Sequence, residues 1–368
     1  MSEKGRVLMA MSGGIDSSIA ALLLHEQGYE VIGVTLKTWD YVSSCPKKES
    51  YCCSFDSIND AKQVAEKMGF KHYVLDVREE FNKIIIENFV DEYLAGRTPN
   101  PCVLCNTHIK WGMLLKKADM LGCKFISTGH YARIREENDR HVLYKGVDGT
   151  KDQSYFLWGL SQDYLKRTIF PLGSLHKREI RKSADSMGYH NLTEKRESYE
   201  ICFIPDNDYR SFLNRKVDGL SEKYNGGNFI STDGKILGKH KGFPFYTIGQ
   251  RKGLNIATGI PQYVININPE SNTIVLGTKD DLKKQNMVVG KYNMVKYAQL
   301  PENIEVLTKI RYKDKGTMSN LIMNEDQIQV IFNLPTGQAG GEVNAIAPGQ
   351  SAVFYEDDDV VGGGIIIK

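Results

Sequence analysis

The feature that most limits what this chain can fold into lies at its start, where an apolar run, a glycine turn and an amphipathic run follow one another. Arg6–Met11 (RVLMAM) reads as a short buried strand, and Ser17–Gln27 (SSIAALLLHEQ) as a helix stopped by Gly28. Ser12-Gly13-Gly14-Ile15-Asp16-Ser17 joins them. Its glycines let the backbone approach an anion, and the helix N-terminus offers unpaired N–H groups to it. No Gly-Lys-Ser/Thr follows, so the turn is not a Walker A loop, and it lacks the G-x-G-x-x-G spacing of dinucleotide folds. A plain glycine turn capped by Ser or Asp is the competing reading at this level.

The same alternation continues. Glu30–Leu36, Lys71–Val77 and Phe125–Thr128 read as strands, and Asp60–Met68, Glu79–Leu94 and Thr107–Leu121 as helices. That order predicts an α/β domain with a doubly wound parallel sheet. After about Asp206, Gly and Pro become frequent and short β-rich runs take over: Tyr263–Asn268, Thr273–Gly277, Ile304–Tyr312 and Gln327–Phe332. We expect three domains over 1–205, 206–281 and 282–368, the second small and β-rich and the last barrel-like, ending in a hairpin that turns at Asp357–Asp359. With 368 residues and 41% hydrophobic content there is enough material for several cores. No apolar run reaches the roughly 20 residues that span a bilayer, and the N-terminus lacks a signal-peptide pattern, so a cytoplasmic location is expected. A net charge of +2 does not by itself announce a nucleic-acid partner.

Seven cysteines, an odd number, suit a reducing compartment where thiols pack, bind metal or react. Pro99-Asn100-Pro101-Cys102-Val103-Leu104-Cys105-Asn106 places two of them three residues apart, as a metal clip, a redox dithiol or half of a catalytic site. A closed zinc site needs four ligands, and no second C-x-x-C pair is present. Cys202 alone reads as a small buried hydrophobe. Cys45, Cys52, Cys53 and Cys123 read as packing or surface thiols, with the loop from Cys45 to Cys53 a candidate for redox sensitivity. Gly129-His130-Tyr131-Ala132-Arg133 follows a strand, so Gly129 falls at the carboxyl edge where open α/β sheets bind ligands.

The string AMSGGIDSS resembles the SGGxDS loop of PP-loop ATP pyrophosphatases, which activate a substrate oxygen as an adenylate. GRTPNPCVLCN, STGHYAR, KDQSYFLWGL, RESYEICFI and GKHKGFPFYTIGQRKGL occur in order, and together they resemble the tRNA-specific 2-thiouridylases. The resemblance runs from residue 7 to about 264, with shorter pieces beyond it (KIRY at Lys309–Tyr312, and PGQSAVFY). It implies an enzyme that replaces the C2 oxygen of a wobble uridine in tRNA by sulfur, using ATP and Mg2+ and a sulfur-donor protein or persulfide relay. It implies ATP contacts at Ala10, Met11, Ser12, Gly13, Gly14, Ile15, Asp16, Ser17, Leu36 and Gly129. tRNA contacts are implied at Asn100, Pro101, Cys102, Lys151, Asp152, Gln153, Arg311 and Tyr312, the last two on a C-terminal strand. Cys202 would carry the persulfide and Cys105 would be its partner, leaving either a Cys105–Cys202 disulfide or released sulfide.

Cys102 departs from the commonest form of the pattern, which has Asp there. It either replaces that Asp beside the base or completes a three-thiol nest with Cys105 and Cys202 for a [4Fe–4S] cluster. Lys235, Lys239, Lys241, Arg251 and Lys252, interleaved with Phe243, Phe245 and Tyr246, read as a surface for the RNA backbone. Two other classes compete: a PP-loop ligase acting on a small metabolite, which needs neither Cys105 nor Cys202, and a non-catalytic RNA-binding protein with a structural metal.

Overall fold

Short apolar runs separated by amphipathic helices leave a strand two faces to bury, and a parallel sheet covered by helices is the arrangement that buries both. The computed structural model has that architecture in the first of two compact units. It describes residues 3–39, 55–189, 201–333 and 343–368. The first unit comprises Met1–Ile85, Cys102–Asn207 and Asp358–Val360, and the second Ile86–Pro101, Asp208–Asp357 and Val361–Lys368.

The first unit's sheet uses β1 (Arg6–Ala10), β2 (Glu30–Lys37), β3 (His72–Asp76) and β4 (Phe125–Ser127). A hairpin of β5 (Ala132–Glu137) and β6 (Arg140–Lys145) then precedes its last strand, β7 (Thr168–Ile169). The order is β3-β2-β1-β4-β7 and every neighbouring pair is parallel. Val7 lies opposite Val31 on one side and Phe125 on the other. Helix α1 (Ile15–Glu26) buries Ile15, Ile19, Ala20, Ala21, Leu22 and Leu24 in a core shared with Ile180, Ala184 and Leu172. Strand order reverses between β1 and β4, and ligands of open α/β sheets bind at the carboxyl ends of the strands flanking such a reversal. The loops that follow these two strands are Ser12–Gly14 and Thr128–Tyr131.

Two features of this unit differ from the sequence expectation. The helix expected from Thr107 begins at Pro101, with an α-turn over Pro101–Leu104, a π-helical segment over Cys105–Trp111, and an α-helix over Gly112–Met120. A proline at the first helical position loses no hydrogen bond, because that N–H has no acceptor in any helix. The β5–β6 hairpin was not expected; Asn138 (φ 50°) and Asp139 (φ 59°) make its turn, both left-handed as a tight hairpin requires.

The second unit contains a four-stranded sheet ordered β10-β11-β8-β9, from β8 (Gly227–Ser231), β9 (Ile236–His240), β10 (Tyr263–Asn268) and β11 (Thr273–Gly277). After a two-residue strand β12 (Lys283–Lys284) come β13 (Asn286–Met294), β14 (Glu305–Lys309), β15 (Thr317–Asn324) and β16 (Gln327–Phe332). β17 (Val343–Asn344) pairs with β12, and β18 (Ser351–Glu356) and β19 (Asp359–Ile366) complete the chain. The order β13-β16-β15-β14-β18-β19, with β19 pairing back onto β13, closes a six-stranded barrel and removes its free edges. Val289, Val306, Leu321, Val330, Phe354 and Val361 are among the residues filling it. The terminal hairpin turns at Asp357 (φ 52°).

Arg311 and Tyr312 lie just past β14 and not on a strand. The Asp314 carboxylate accepts from Ile310 N–H (3.1 Å), and Asp314 N–H donates to Arg311 O (3.0 Å), which bends the chain out of the sheet.

Candidate active site

The turn after β1 is built as an anion cradle. Gly14 occupies the N-cap position of α1 with no side chain capping the helix, so the first-turn N–H groups remain available. Gly13 has φ 72°, and a Cβ there would overlap the Ser57 carbonyl. Ser17 Oγ accepts from Ser12 N–H (3.1 Å) and donates to Gly14 O (3.1 Å), which folds the loop back over the helix start. The turn after β4 comes against it: a Cβ on Gly129 would lie 2.9 Å from Ser17 N and 3.0 Å from the Asp16 carbonyl carbon. Only glycine lets these two backbones touch. Leu36 stands half-buried at the carboxyl end of β2, Ala10 ends β1 and Met11 follows it, so the residues expected around ATP line one sheet edge. The loop glycines and open helix terminus fit a triphosphate.

Asp16 is already engaged. Lys177, 8% exposed, donates from Nζ to both carboxylate oxygens (2.6 and 2.8 Å), and the Tyr131 hydroxyl donates to Oδ1 (2.6 Å). Sequence reasoning missed both partners. Tyr131 was visible in the GHYAR string, but nothing in Lys177's local sequence points across 161 positions to Asp16.

The two cysteine segments of the first unit share a support. Asn106 Nδ2 donates to Phe156 O (2.9 Å), Trp111 Nε1 donates to Thr168 Oγ1 (2.7 Å), and Gly159 leaves room for Thr107, whose Oγ1 would sit 2.5 Å from a Cβ there. These anchors bury Asn106, Ile109 and Trp111 and leave Cys105 half-buried and Cys102 exposed. The wider turn of i→i+5 hydrogen bonding is a frequent mark of functional helices. Cys202 is exposed, while the next residue, Phe203, is buried against Phe81 (5.8 Å between ring centroids) and Trp39 (6.4 Å). Phe81 ends the short helix Arg78–Phe81, which also packs on the Cys105–Trp111 segment. Cys202 therefore faces outward from a turn pinned to the element that supports Cys105. Cys202 is not the buried hydrophobe that its composition alone suggested. Cys123 is buried, and desolvation pushes its thiol up to about 11, as expected of a packing cysteine.

Cys102 combines exposure with desolvation: the surrounding protein pushes its thiol above the ordinary range, and the Lys110 ammonium pulls the other way. Lys110 also acts on His130, which desolvation first and this charge second drive well below the usual imidazole range. His130 is therefore neutral at pH 7, with Nδ1 2.7 Å from Thr128 Oγ1 and its ring against Trp111. Because thiolate is the reactive form, alkylation of Cys102 by iodoacetamide will reach half its maximal rate above the pH of an ordinary cysteine, about 8.5. Lys110→Met removes the opposing charge and will move that midpoint higher still; peptide mass mapping against pH checks both.

The expected tRNA contacts fall in two places. In the second unit, Asn100 donates to Ser351 Oγ (3.3 Å), Gln350 Nε2 donates to Thr98 O (3.1 Å) and Pro99 O (2.7 Å), and Thr98 N–H donates to Pro348 O (2.8 Å). The PNP segment thus rests on the Pro348–Ser351 loop, a support that sequence reading did not foresee. Gly349 has φ 92°, and a Cβ there would lie 2.7 Å from Thr98 O. Gly349→Ala is expected to cost about 2 kcal/mol, seen as a drop of about 5 °C in apparent melting temperature, with weaker tRNA binding.

In the first unit, Lys151 and Gln153 are half-buried, and Asp152 is turned inward. Its Oδ1 accepts from Gly146 and Ser154 N–H, and its Oδ2 accepts from Ser154 Oγ (2.9 Å). Asp152 shapes this turn by its internal bonds. In the second unit, Arg311 is exposed and Tyr312 half-buried. Lys235, Lys239, Lys241, Arg251 and Lys252 all face solvent, whereas Phe243, Phe245 and Tyr246 are buried, Tyr246 against Phe229 and His240 and Phe243 against Tyr224. The interleaved aromatics thus belong to packing, and only the cations form surface.

Among the described residues, no three His, Cys, Asp or Glu side chains converge closely enough to hold a metal ion. Cys102, Cys105 and Cys202 are therefore not gathered into a cluster nest here. Cys45, Cys52, Cys53 and the Arg196–Glu200 part of the RESYEICFI string lie outside the described residues. No helix among the described residues is long and apolar enough to cross a membrane.

Comparison with known proteins places these features in a family context. Residues 5–206 match the model described as tRNA methyl transferase HUP domain, 211–278 the tRNA methyl transferase PRC-barrel domain, and 284–366 the Aminomethyltransferase beta-barrel domain. The chain is 58% identical over 366 residues to the tRNA-specific 2-thiouridylase MnmA of Amoebophilus asiaticus, covering 99% of this chain and 96% of that one. It is 56% identical over 368 residues to the protein of the same name from Cytophaga hutchinsonii, covering 100% and 98%. For the Salinibacter ruber protein of that name the identity is 54% over 371 residues, covering 100% and 95%.

Proposed function

The chain belongs to the tRNA-specific 2-thiouridylase family, and from that premise we propose that it converts a wobble uridine of tRNA to 2-thiouridine at the expense of ATP. The observation that carries this reading is the joint presence, in one unit, of an open phosphate loop and two cysteine segments resting on the helix Arg78–Phe81. The domain limits that fit it are 1–205 for catalysis, 206–281 for a small tRNA-binding domain and 282–368 for the barrel.

ATP occupies the loop of Ser12–Ser17, where Asp16 would orient the loop or hold a Mg2+ ion that would offset phosphate charge, while Gly129 and Leu36 border the nucleotide at the sheet edge. The uridine C2 oxygen attacks the α-phosphorus, the α–β P–O bond breaks, and pyrophosphate leaves. This makes a poor oxygen leaving group into AMP. Cys202, loaded by a sulfur-donor protein, presents a persulfide whose outer sulfur attacks C2 and expels AMP with the oxygen. Cys105 thiolate then attacks the Cys202 sulfur; the S–S bond to the base breaks, 2-thiouridine is released and a Cys105–Cys202 disulfide remains for an external dithiol. The outward side chain of Cys202 suits both loading and transfer. In the first unit Cys102 borders the base once it leaves its stack and Lys151–Gln153 meets the RNA around it; in the second, Asn100, Pro101, Arg311 and Tyr312 make their own tRNA contacts.

The test is to incubate unmodified tRNA with the protein, ATP, Mg2+ and a sulfur donor, and to analyse nucleosides by mass spectrometry. Oxygen-to-sulfur exchange at uridine is expected, together with pyrophosphate. Methyl addition, which two of the domain descriptions name, would overturn the reading, as would an unchanged nucleoside profile.

A further inference from the structure

Two chains of bonds lead from the phosphate loop to the same distant segment, and both begin at the Asp16 carboxylate. In the first, the Tyr131 hydroxyl donates to Asp16 Oδ1 (2.6 Å) while the Tyr131 peptide is locked to Gln153 from both sides. Tyr131 N–H donates to Gln153 Oε1 (3.0 Å), and Gln153 N–H donates to Tyr131 O (2.9 Å). In the second, Lys177 Nζ holds both Asp16 oxygens, and Lys177 N–H donates to Asp148 Oδ2 (2.9 Å). Asp148 in turn accepts at Oδ1 from Thr150 N–H (3.1 Å) and Thr150 Oγ1 (2.6 Å), and at its carbonyl from Lys151 N–H (2.9 Å). Both chains end on Lys151–Gln153, and all of these residues belong to the first unit.

We propose that Tyr131 is a positioning residue that couples nucleotide occupancy of the phosphate loop to the Lys151–Gln153 segment, so that ATP and tRNA each strengthen binding of the other. The inference rests on the reading that Lys151–Gln153 meets tRNA. Its physical basis is competition for charge. A triphosphate at the N-terminus of α1 competes with Asp16 for the Lys177 ammonium, and its bound Mg2+ competes with Lys177 for Asp16. Either change alters what the Tyr131 hydroxyl faces. Tyr131 is 2% exposed, so its ring has no room to swing alone, and a shift of its backbone carries Gln153 through the two reciprocal bonds. A coupling of this kind is reciprocal by linkage: ATP changes tRNA affinity by the factor with which tRNA changes ATP affinity.

The experiment measures the dissociation constant of unmodified tRNA with and without a saturating, non-cleavable α,β-methylene ATP analogue and Mg2+, for the wild type and Tyr131→Phe. The reciprocal titration of analogue is run with and without tRNA. A coupling of about tenfold is expected in the wild type, within the usual range for linked sites. Tyr131→Phe lowers it to about threefold, the rest being carried by the Lys177–Asp148 chain, while each ligand's separate affinity changes by less than about threefold. Gln153→Leu removes the side-chain half of the reciprocal pair and lowers the same ratio, and its tRNA affinity without the analogue is measured alongside to tell a lost RNA contact from lost coupling, so the test survives if Tyr131→Phe does not fold. Wild-type coupling of one, or coupling that persists undiminished in the folded variants, overturns the inference. A wild type that binds no tRNA overturns instead the functional reading on which it rests.

Discussion

Cys202→Ser will lower 2-thiouridine formation by at least about 100-fold, because an alkoxide precursor can neither carry nor transfer a sulfane sulfur. The same variant will still release pyrophosphate in a tRNA-dependent manner, since the proposed adenylation uses the loop of Ser12–Ser17 and not the thiol. Cys202 is exposed, so replacing its sulfur by oxygen leaves packing intact, and the loss reports chemistry. Cys105→Ser is expected to differ in kind: in a single turnover, Cys202 is loaded and attacks, but no thiolated nucleoside is released without an added thiol. The split is measured by nucleoside mass spectrometry alongside a pyrophosphate assay. A Cys202→Ser protein that thiolates at the normal rate would end the persulfide assignment. Simultaneous loss of pyrophosphate would place Cys202 in adenylation instead.

Gly13→Ala should abolish the first half-reaction. At φ 72° an L-residue costs about 1–2 kcal/mol, and the added methyl would overlap the Ser57 carbonyl. The turn can relieve that overlap only by lifting away from Ser57, which moves the amides proposed to hold phosphate. We expect tRNA-dependent pyrophosphate release to fall by about 100-fold or more, the range for losing a preorganised anion site, with binding of the ATP analogue weakened in parallel. Circular dichroism and the melting curve establish that the variant is folded. Turnover and nucleotide affinity within about twofold of wild type would show that the Ser12–Ser17 turn is not the phosphate site.

The α/β order, the glycine turn before α1 and the barrel-like end were legible in the sequence because each rests on local chemistry. RVLMAM has one way to be buried, glycines at Gly13 and Gly14 mark a backbone that something must approach, and closely spaced β-rich runs demand a closed sheet. Helix limits were less legible. The helix read as starting at Thr107 starts at Pro101, because a proline costs no hydrogen bond at the first helical position. Arg311 and Tyr312 read as strand because KIRY has strand composition, while a carboxylate two residues on, Asp314, turns the chain out of the sheet. Phe243, Phe245 and Tyr246 read as part of a surface for the RNA backbone and are core, a distinction that composition does not encode.

By itself the sequence determined the family, the parallel-sheet class and the residue types available for chemistry: a glycine turn at the start of α1 and cysteines in two segments. What only the tertiary structure decided is who meets whom. It set Lys177 and Tyr131 on Asp16, seated the Asn100 segment on Gln350 and Gly349, turned Asp152 inward, and exposed Cys202 beside a buried Phe203. The physical reason is range. Turn and helix preferences act over a few residues, whereas ion pairs, buried hydrogen bonds and backbone contacts join positions 100 or more apart, and only the packed fold brings those to within 3 Å.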